Sequence, residues 1–314
     1  MKKFALLSTS LVVMLVPLLA AGPAQALDNV TFVKSTGSGT ACTVAAPCAT
    51  FQGAEAATAP GGEIHCLDSG VVGGMVINKS LTVDCAGFAT TTTFVTVDSP
   101  GVVVTIRNLT ISGATGFGAG IDFANGTALL VENCFIENFN GSAADAGIRF
   151  RPLTPGSKLV VTDTVVRNNG FGSTGGGIVI NPLPGGSAQI VLNRVNVDKN
   201  IFGIVADGTG STGGINMTIT DSVASGNLND GIIATTPSGG APIGVLVTGT
   251  KSVNNAVGIR SIGSSVTVRT ESSKIAGNGA GLVFSGGGAL LTAGNNMVRA
   301  NASDGVFSGP VALQ

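Results

Sequence analysis

A glycine followed by an aliphatic residue recurs along this chain: Gly120-Ile121, Gly147-Ile148, Gly177-Ile178, Gly203-Ile204, Gly231-Ile232, Gly258-Ile259, Gly281-Leu282 and Gly305-Val306. Successive glycines lie 27, 30, 26, 28, 27, 23 and 24 residues apart. Asn200, Asn255 and Asn278 stand three residues ahead of their pair, Asn227 and Asn301 four ahead. Farther upstream come β-prone segments such as Thr105-Ile106-Arg107-Asn108-Leu109-Thr110-Ile111 and Val161-Thr162-Asp163-Thr164-Val165-Val166. The predicted unit is strand, Asn turn, Gly-aliphatic strand, then a Gly-rich loop that absorbs the varying spacing. One such unit cannot bury its own apolar face. Stacking units in parallel, about 4.8 Å apart, does bury it.

The recurrent asparagine suits a sharp bend, because Asn tolerates the left-handed backbone region better than other non-glycine residues. Stacked amides are also expected to hydrogen-bond along the axis as a ladder. A stack of coils exposes strand edges that need covering. Thr50–Ala57 reads as one short helix placed to cap the first coil at Gly62-Glu63-Ile64. The C-terminal segment offers no such helix, so that end is expected to close irregularly or under another chain.

Composition adds a compartment. Lys2 and Lys3, the apolar run Phe4–Ala20 and the small residues of Ala24-Gln25-Ala26 read as a secretory signal over residues 1–26. Export to the periplasm or the medium follows, with no membrane span after signal removal. Only 11% of residues are charged, against about 25% in typical domains, yet 44% are hydrophobic. The near-neutral balance lacks a basic patch, so nucleic acid is not an expected partner. In an exported chain Cys42 and Cys48 bracket a short loop and are expected to pair. Cys66 and Cys85, about one coil apart, are expected to stack into a second disulfide. Cys134 is left over, and its apolar surroundings favour a buried core thiol over a nucleophile.

The run Thr31-Phe32-Val33, Gly37-Ser38-Gly39, Cys42 to Cys48, Ala49-Thr50-Phe51-Gln52, Gly61-Gly62-Glu63-Ile64 and Leu67-Asp68-Ser69-Gly70 resembles the N-terminal cap and first coil of pectate-lyase-like right-handed β-helix proteins of bacteria. The Asn and Gly-Ile repeats resemble their later coils. The fold expected is all-β: a single-stranded right-handed parallel β-helix (solenoid) of roughly ten coils over residues 64–314, preceded by an N-terminal strand and capping helix over residues 27–63. The resemblance implies lyase, hydrolase or non-catalytic roles alike. Polygalacturonase-type and pectin-esterase-type motifs have no match, since His65 precedes Cys66 and the chain has no Trp.

Charge is densest between residues 107 and 167. Coil alignment sets Arg107 near Glu132, Asp122 near Arg149 and Glu137 near Arg167, with Arg151 and Asp145 close by. A lyase-like site would use an Arg to neutralise a substrate carboxylate and a base to take the neighbouring proton, so Asp122, Arg149 and Arg151 are the catalytic candidates. The opposite signs favour the alternative, a row of cross-coil ion pairs. Asp163 and Asp221, with Asn193 between them, form a weaker candidate carboxylate pair, although their column suggests turn residues. No carboxylate cluster marks a calcium site, and no cofactor is expected. Phe123, Phe150 and Phe284 fall at inward positions, while Phe117, Phe139, Phe171 and Phe202 are expected to be exposed. The reading favoured is a secreted structural or binding protein for a polysaccharide or cell-surface component, the alternative a polysaccharide lyase or glycoside hydrolase.

Overall fold

The structure, a computed structural model, describes residues 27–113, 118–172 and 175–311. The expected signal segment and Phe117 lie outside these residues. The described chain winds into a right-handed parallel β-solenoid of about ten turns with one short helix. Three parallel sheets run its length. The first has 12 strands, from Asp28–Val33 to Gly309–Pro310. The second runs over nine strands from Thr91–Thr92 to Met297–Arg299, and the third over nine from Met75–Ile77 to Ala280–Ser285. A representative coil is Ser157–Thr162 in the first sheet, Val165–Arg167 in the second and Gly176–Ile180 in the third.

The Gly-aliphatic repeat is explained by what sits around each pair. Ile121, Ile148, Ile178, Ile204, Ile232, Ile259 and Leu282 stack in register, each at most 5% exposed. They form a column of the core. The glycine before them is required by close approach. A Cβ on Gly177 would lie 2.4 Å from Val197 Cγ1 and 2.9 Å from Asn200 Nδ2, and Gly147 meets Val166 and Asn169 in the same way.

The amide ladder exists and is longer than the sequence pattern indicated, starting at Asn169. Side-chain nitrogens donate to the next coil's side-chain oxygen from Asn169 to Asn200, Asn227, Asn255, Asn278 and Asn301 at 2.8–3.1 Å. Asn301 passes the last bond to Asp304. The expectation that these asparagines adopt the left-handed backbone is corrected. That conformation falls on the residue just before, at Asn168, Lys199, Gly226, Asn254, Gly277 and Ala300 (φ 55° to 69°). The physical reason is a division of labour: the bend turns the chain inward, and the following amide, now pointing into the core, satisfies buried backbone groups.

The helix Phe51–Ala57 packs against the strands Asp28–Val33, Thr58–Cys66 and Met75–Ile77, burying Phe51 and Ala54 completely. Thr50 caps it by accepting from Gly53 N–H at 3.1 Å. Disulfides join Cys42 to Cys48 and Cys66 to Cys85, while Cys134 is free and buried. Among the described residues no helix is long and apolar enough to cross a membrane. At the far end Gly309–Pro310 pairs with Leu291–Thr292 and Phe307 packs on the core. Phe284 holds an inward register position opposite Ser261 but is 40% exposed, because among the described residues no later strand of its sheet covers it.

Candidate binding groove on the third sheet

Asp122 lies at the centre of the best-formed charged cluster. It sits mid-strand in Ala119–Asn125, in register with Arg149 on the next coil. Alternation along the strand sends Ile121 and Phe123 into the core and Asp122 outward. Phe123 stacks on Phe150 beneath it, ring centroids 4.5 Å apart. Arg149 donates to both carboxylate oxygens at 3.1 and 2.8 Å, and Arg151 does so at 2.9 and 2.7 Å. Burial pushes the Asp122 carboxyl up. The hydrogen bonds and charges of the two guanidiniums outweigh it and hold the group below its ordinary range. Arg151 is held charged, chiefly by its bonds to Asp122. A carboxylate with four donors on it is a locked anion, poorly placed to take a proton from a substrate.

The other charged candidates are likewise paired. Arg167 binds Glu137 at 3.0 Å and lies over the Phe135 ring at 4.6 Å. Arg107 stands in register with both Asp84 and Glu132, and its guanidinium binds Asp84 at 2.8 Å. Glu132 stands beside Arg107 as expected, but the ion pair forms on the other neighbouring coil with Asp84, whose carboxyl also accepts from Asn108 at 2.7 Å. Asp145 closes a local turn, accepting from Gly141 N–H, Ser142 N–H and Ser142 Oγ.

Asp163 and Asp221 do share a column, at φ 51° and 48°. The residue between them is Arg194 (φ 51°), not Asn193, which ends the strand Ala188–Asn193. Arg194 grips both oxygens of Asp163 at 2.6 Å and lowers its pKa. The pair is thus a set of turn residues divided by a cation, unsuited to acid and base roles across one glycosidic bond.

A groove of about 310 Å³ opens beside the Asp122 cluster on the outer face of the third sheet. Arg149 stands at one end. Val179, Val205 and Ile233 occupy successive coils of one outward column and form the floor. Asn181, Asp207 and Thr235 form a parallel polar column, and Phe202 lines the other side. Asp207 accepts from Thr209 N–H at 2.9 Å. The side-chain oxygen of Asn181 is buried without a hydrogen-bond partner among the described residues. One coil past Ile233 comes Arg260, whose partner Asp230 is 4% exposed. There burial outweighs the guanidinium and raises the carboxyl.

Sequence reasoning found Asp122, Arg149 and Arg151 but missed the floor and the polar column. Their signal was available: each floor residue follows the Gly-aliphatic pair by one position, and each polar residue by three. Phe139, expected outside, is 1% exposed and occupies the ladder position of its coil, donating its N–H to Asn169 Oδ1. Phe202 is half-buried and Phe171 is 49% exposed. Among the described residues no three of His, Cys, Asp and Glu gather into a cluster that could hold a metal.

Residues 74–213 match a family described as the right-handed β-helix region. No curated protein and no solved structure matches the chain. The family match and the solenoid together fit the pectate-lyase-like right-handed β-helix family.

Proposed function

We propose that this right-handed β-helix protein is a secreted, non-catalytic binding protein that holds a polysaccharide of the cell envelope or its surroundings along the outer face of its third sheet. One observation carries the reading: the groove lies open across several coils, while the acid-base candidate beside it, Asp122, is fixed by two arginines. Chemistry at a polymer needs a group poised to accept or give a proton. Gripping a polymer needs only a rigid, extended surface. The two disulfides and the absence, among the described residues, of a membrane-crossing helix are compatible with work outside the cytoplasm.

The test is a screen of the protein, lacking residues 1–26, against neutral and acidic polysaccharides, with calcium and with chelator. Retardation in affinity electrophoresis without new reducing ends or unsaturated sugars is the expected result. Cleavage of any polymer, lost on Asp122→Asn, would replace this reading with an enzymatic one.

A further inference from the structure

We infer that two copies of this chain join tail to tail, through the open end that the last coil leaves on the solenoid. The two ends differ in how their strand edges are covered. Among the described residues, the first strand of each sheet has a partner at the N-terminal end. Asp28–Val33 is bonded by the disulfide loop, with Phe32 N–H donating to Cys42 O at 2.7 Å and Cys48 N–H to Phe32 O at 2.9 Å. Gln52 of the capping helix takes the place of a strand beside Met75–Ile77, accepting from Val76 N–H at 2.8 Å and donating to Val76 O at 3.4 Å. Thr91 of the second sheet donates to Gly70 O at 2.8 Å and accepts from Val72 N–H at 2.9 Å.

At the C-terminal end, among the described residues, the cover is incomplete. Gly281 and Leu282 donate to Ser303 O and Asp304 O, and the chain then turns at Gly305 (φ 71°) toward the first sheet. Residues 284–285 of the third sheet and Met297–Arg299 of the second have no strand beyond them. Pro310 blunts the edge of the first sheet, having no N–H to offer. Phe284 is 40% exposed and Val306 69%. Val298 stands in register with the fully buried Ile275 yet is only half-buried itself.

A second copy is the occupant these features fit. The capped end of another molecule has no free edge, so head-to-tail growth finds nothing to pair with. Another open end does offer an edge. Across a two-fold axis a strand meets its own copy antiparallel, the pairing that an isologous contact permits. Charge agrees: residues 286–311 carry one charge of each sign, Arg299 and Asp304, so neither copy meets a like-charged face. A closed coil of 23 residues at about 3.3 Å each encloses roughly 300–450 Å². Two such faces bury roughly 600–900 Å² together, the size of a weak, reversible contact.

The experiment is sedimentation equilibrium of the protein lacking residues 1–26, from about 1 to 300 µM, a range that brackets a dissociation constant of order 10–100 µM. Hydrogen exchange of residues 283–286 is followed at both extremes. The variants are Phe284→Asp and Val306→Asp, the latter outside every strand and so least able to disturb the fold. Val44→Asp, on an exposed position at the capped end, serves as the control, and circular dichroism with cooperative melting verifies folding of each variant. Expected are a rise from monomer to dimer mass and no further, and slower exchange of residues 283–286 in the concentrated sample. Phe284→Asp and Val306→Asp should each weaken the dimer at least about ten-fold, and Val44→Asp should leave it unchanged. Monomer mass throughout the range, assemblies larger than a dimer, or a dimer that Val306→Asp leaves intact would overturn the inference.

Discussion

The side-chain oxygen of Asn227 accepts both the backbone N–H of Asn200, at 3.0 Å, and the Asn200 side-chain N–H, at 3.1 Å. Its own nitrogen donates to Val197 O and to Asn255 Oδ1. Every coil along this ladder therefore depends on the next for a buried donor's partner. Asn227→Ala removes these bonds at a site 2% exposed and is expected to cost about 3 kcal/mol. By contrast Asn254, exposed and at φ 59°, carries only the bend, and Asn254→Gly is expected to change stability by less than about 1 kcal/mol. Urea unfolding of the two variants measures the contrast.

Asp122 joins two arginines through a side chain that is 14% exposed. Asp122→Asn removes the carboxylate that both guanidiniums share and is expected to lower stability by about 2 kcal/mol at neutral pH. The carboxyl's pKa is lowered in the folded state. Its stabilisation is thus full above the unfolded value near 3.9 and is lost as pH falls through the lower folded value. The melting-temperature gap between wild type and variant should shrink in the acid range below about pH 3.

Asp230 behaves in the opposite sense. Burial raises its folded pKa despite Arg260, so the folded state holds the proton more tightly than the unfolded chain. The associated stability is present below the unfolded value near 3.9 and is lost as pH rises through the raised one. Asp230→Asn mimics the protonated form. Melting curves should show the variant gaining on the wild type as pH rises from about 4 to 7; a constant gap would count against this account.

Burial pushes the Cys134 thiol up to about 12, and the side chain is 4% exposed. Native protein near pH 8 is expected to resist iodoacetamide, because the thiolate is the reactive form. Denatured, unreduced protein should titrate one thiol per chain, the other four cysteines being held in the two disulfides.

The scaffold was readable because its constraints repeat once per coil. Gly177, Gly203 and Gly231 must lack a side chain where the amide ladder passes, and Ile178, Ile204 and Ile232 must fill one core column. The groove was harder to read. In Gly176–Ile180 the outward Val179 is as aliphatic as the inward Ile178 and Ile180, so nothing in its residue type tells its face. A single-residue register difference also reassigned the column of Asp163 and Asp221 from Asn193 to Arg194, as expected where the side-chain period is two.

By itself the sequence determined the parallel stack, its repeat unit and the pairing of opposite charges across coils, because each rests on spacing along the chain. Coil spacing already set Arg149 beside Asp122 and Arg167 beside Glu137; only the tertiary structure decided that Arg107 turns to Asp84 and that Arg151 joins Arg149 on Asp122. It alone assembled Val179, Val205 and Ile233 into one floor. In a solenoid each outward residue has a neighbour on the coil before and the coil after, and the choice between them is made by packing and hydrogen-bond geometry, which linear spacing does not encode.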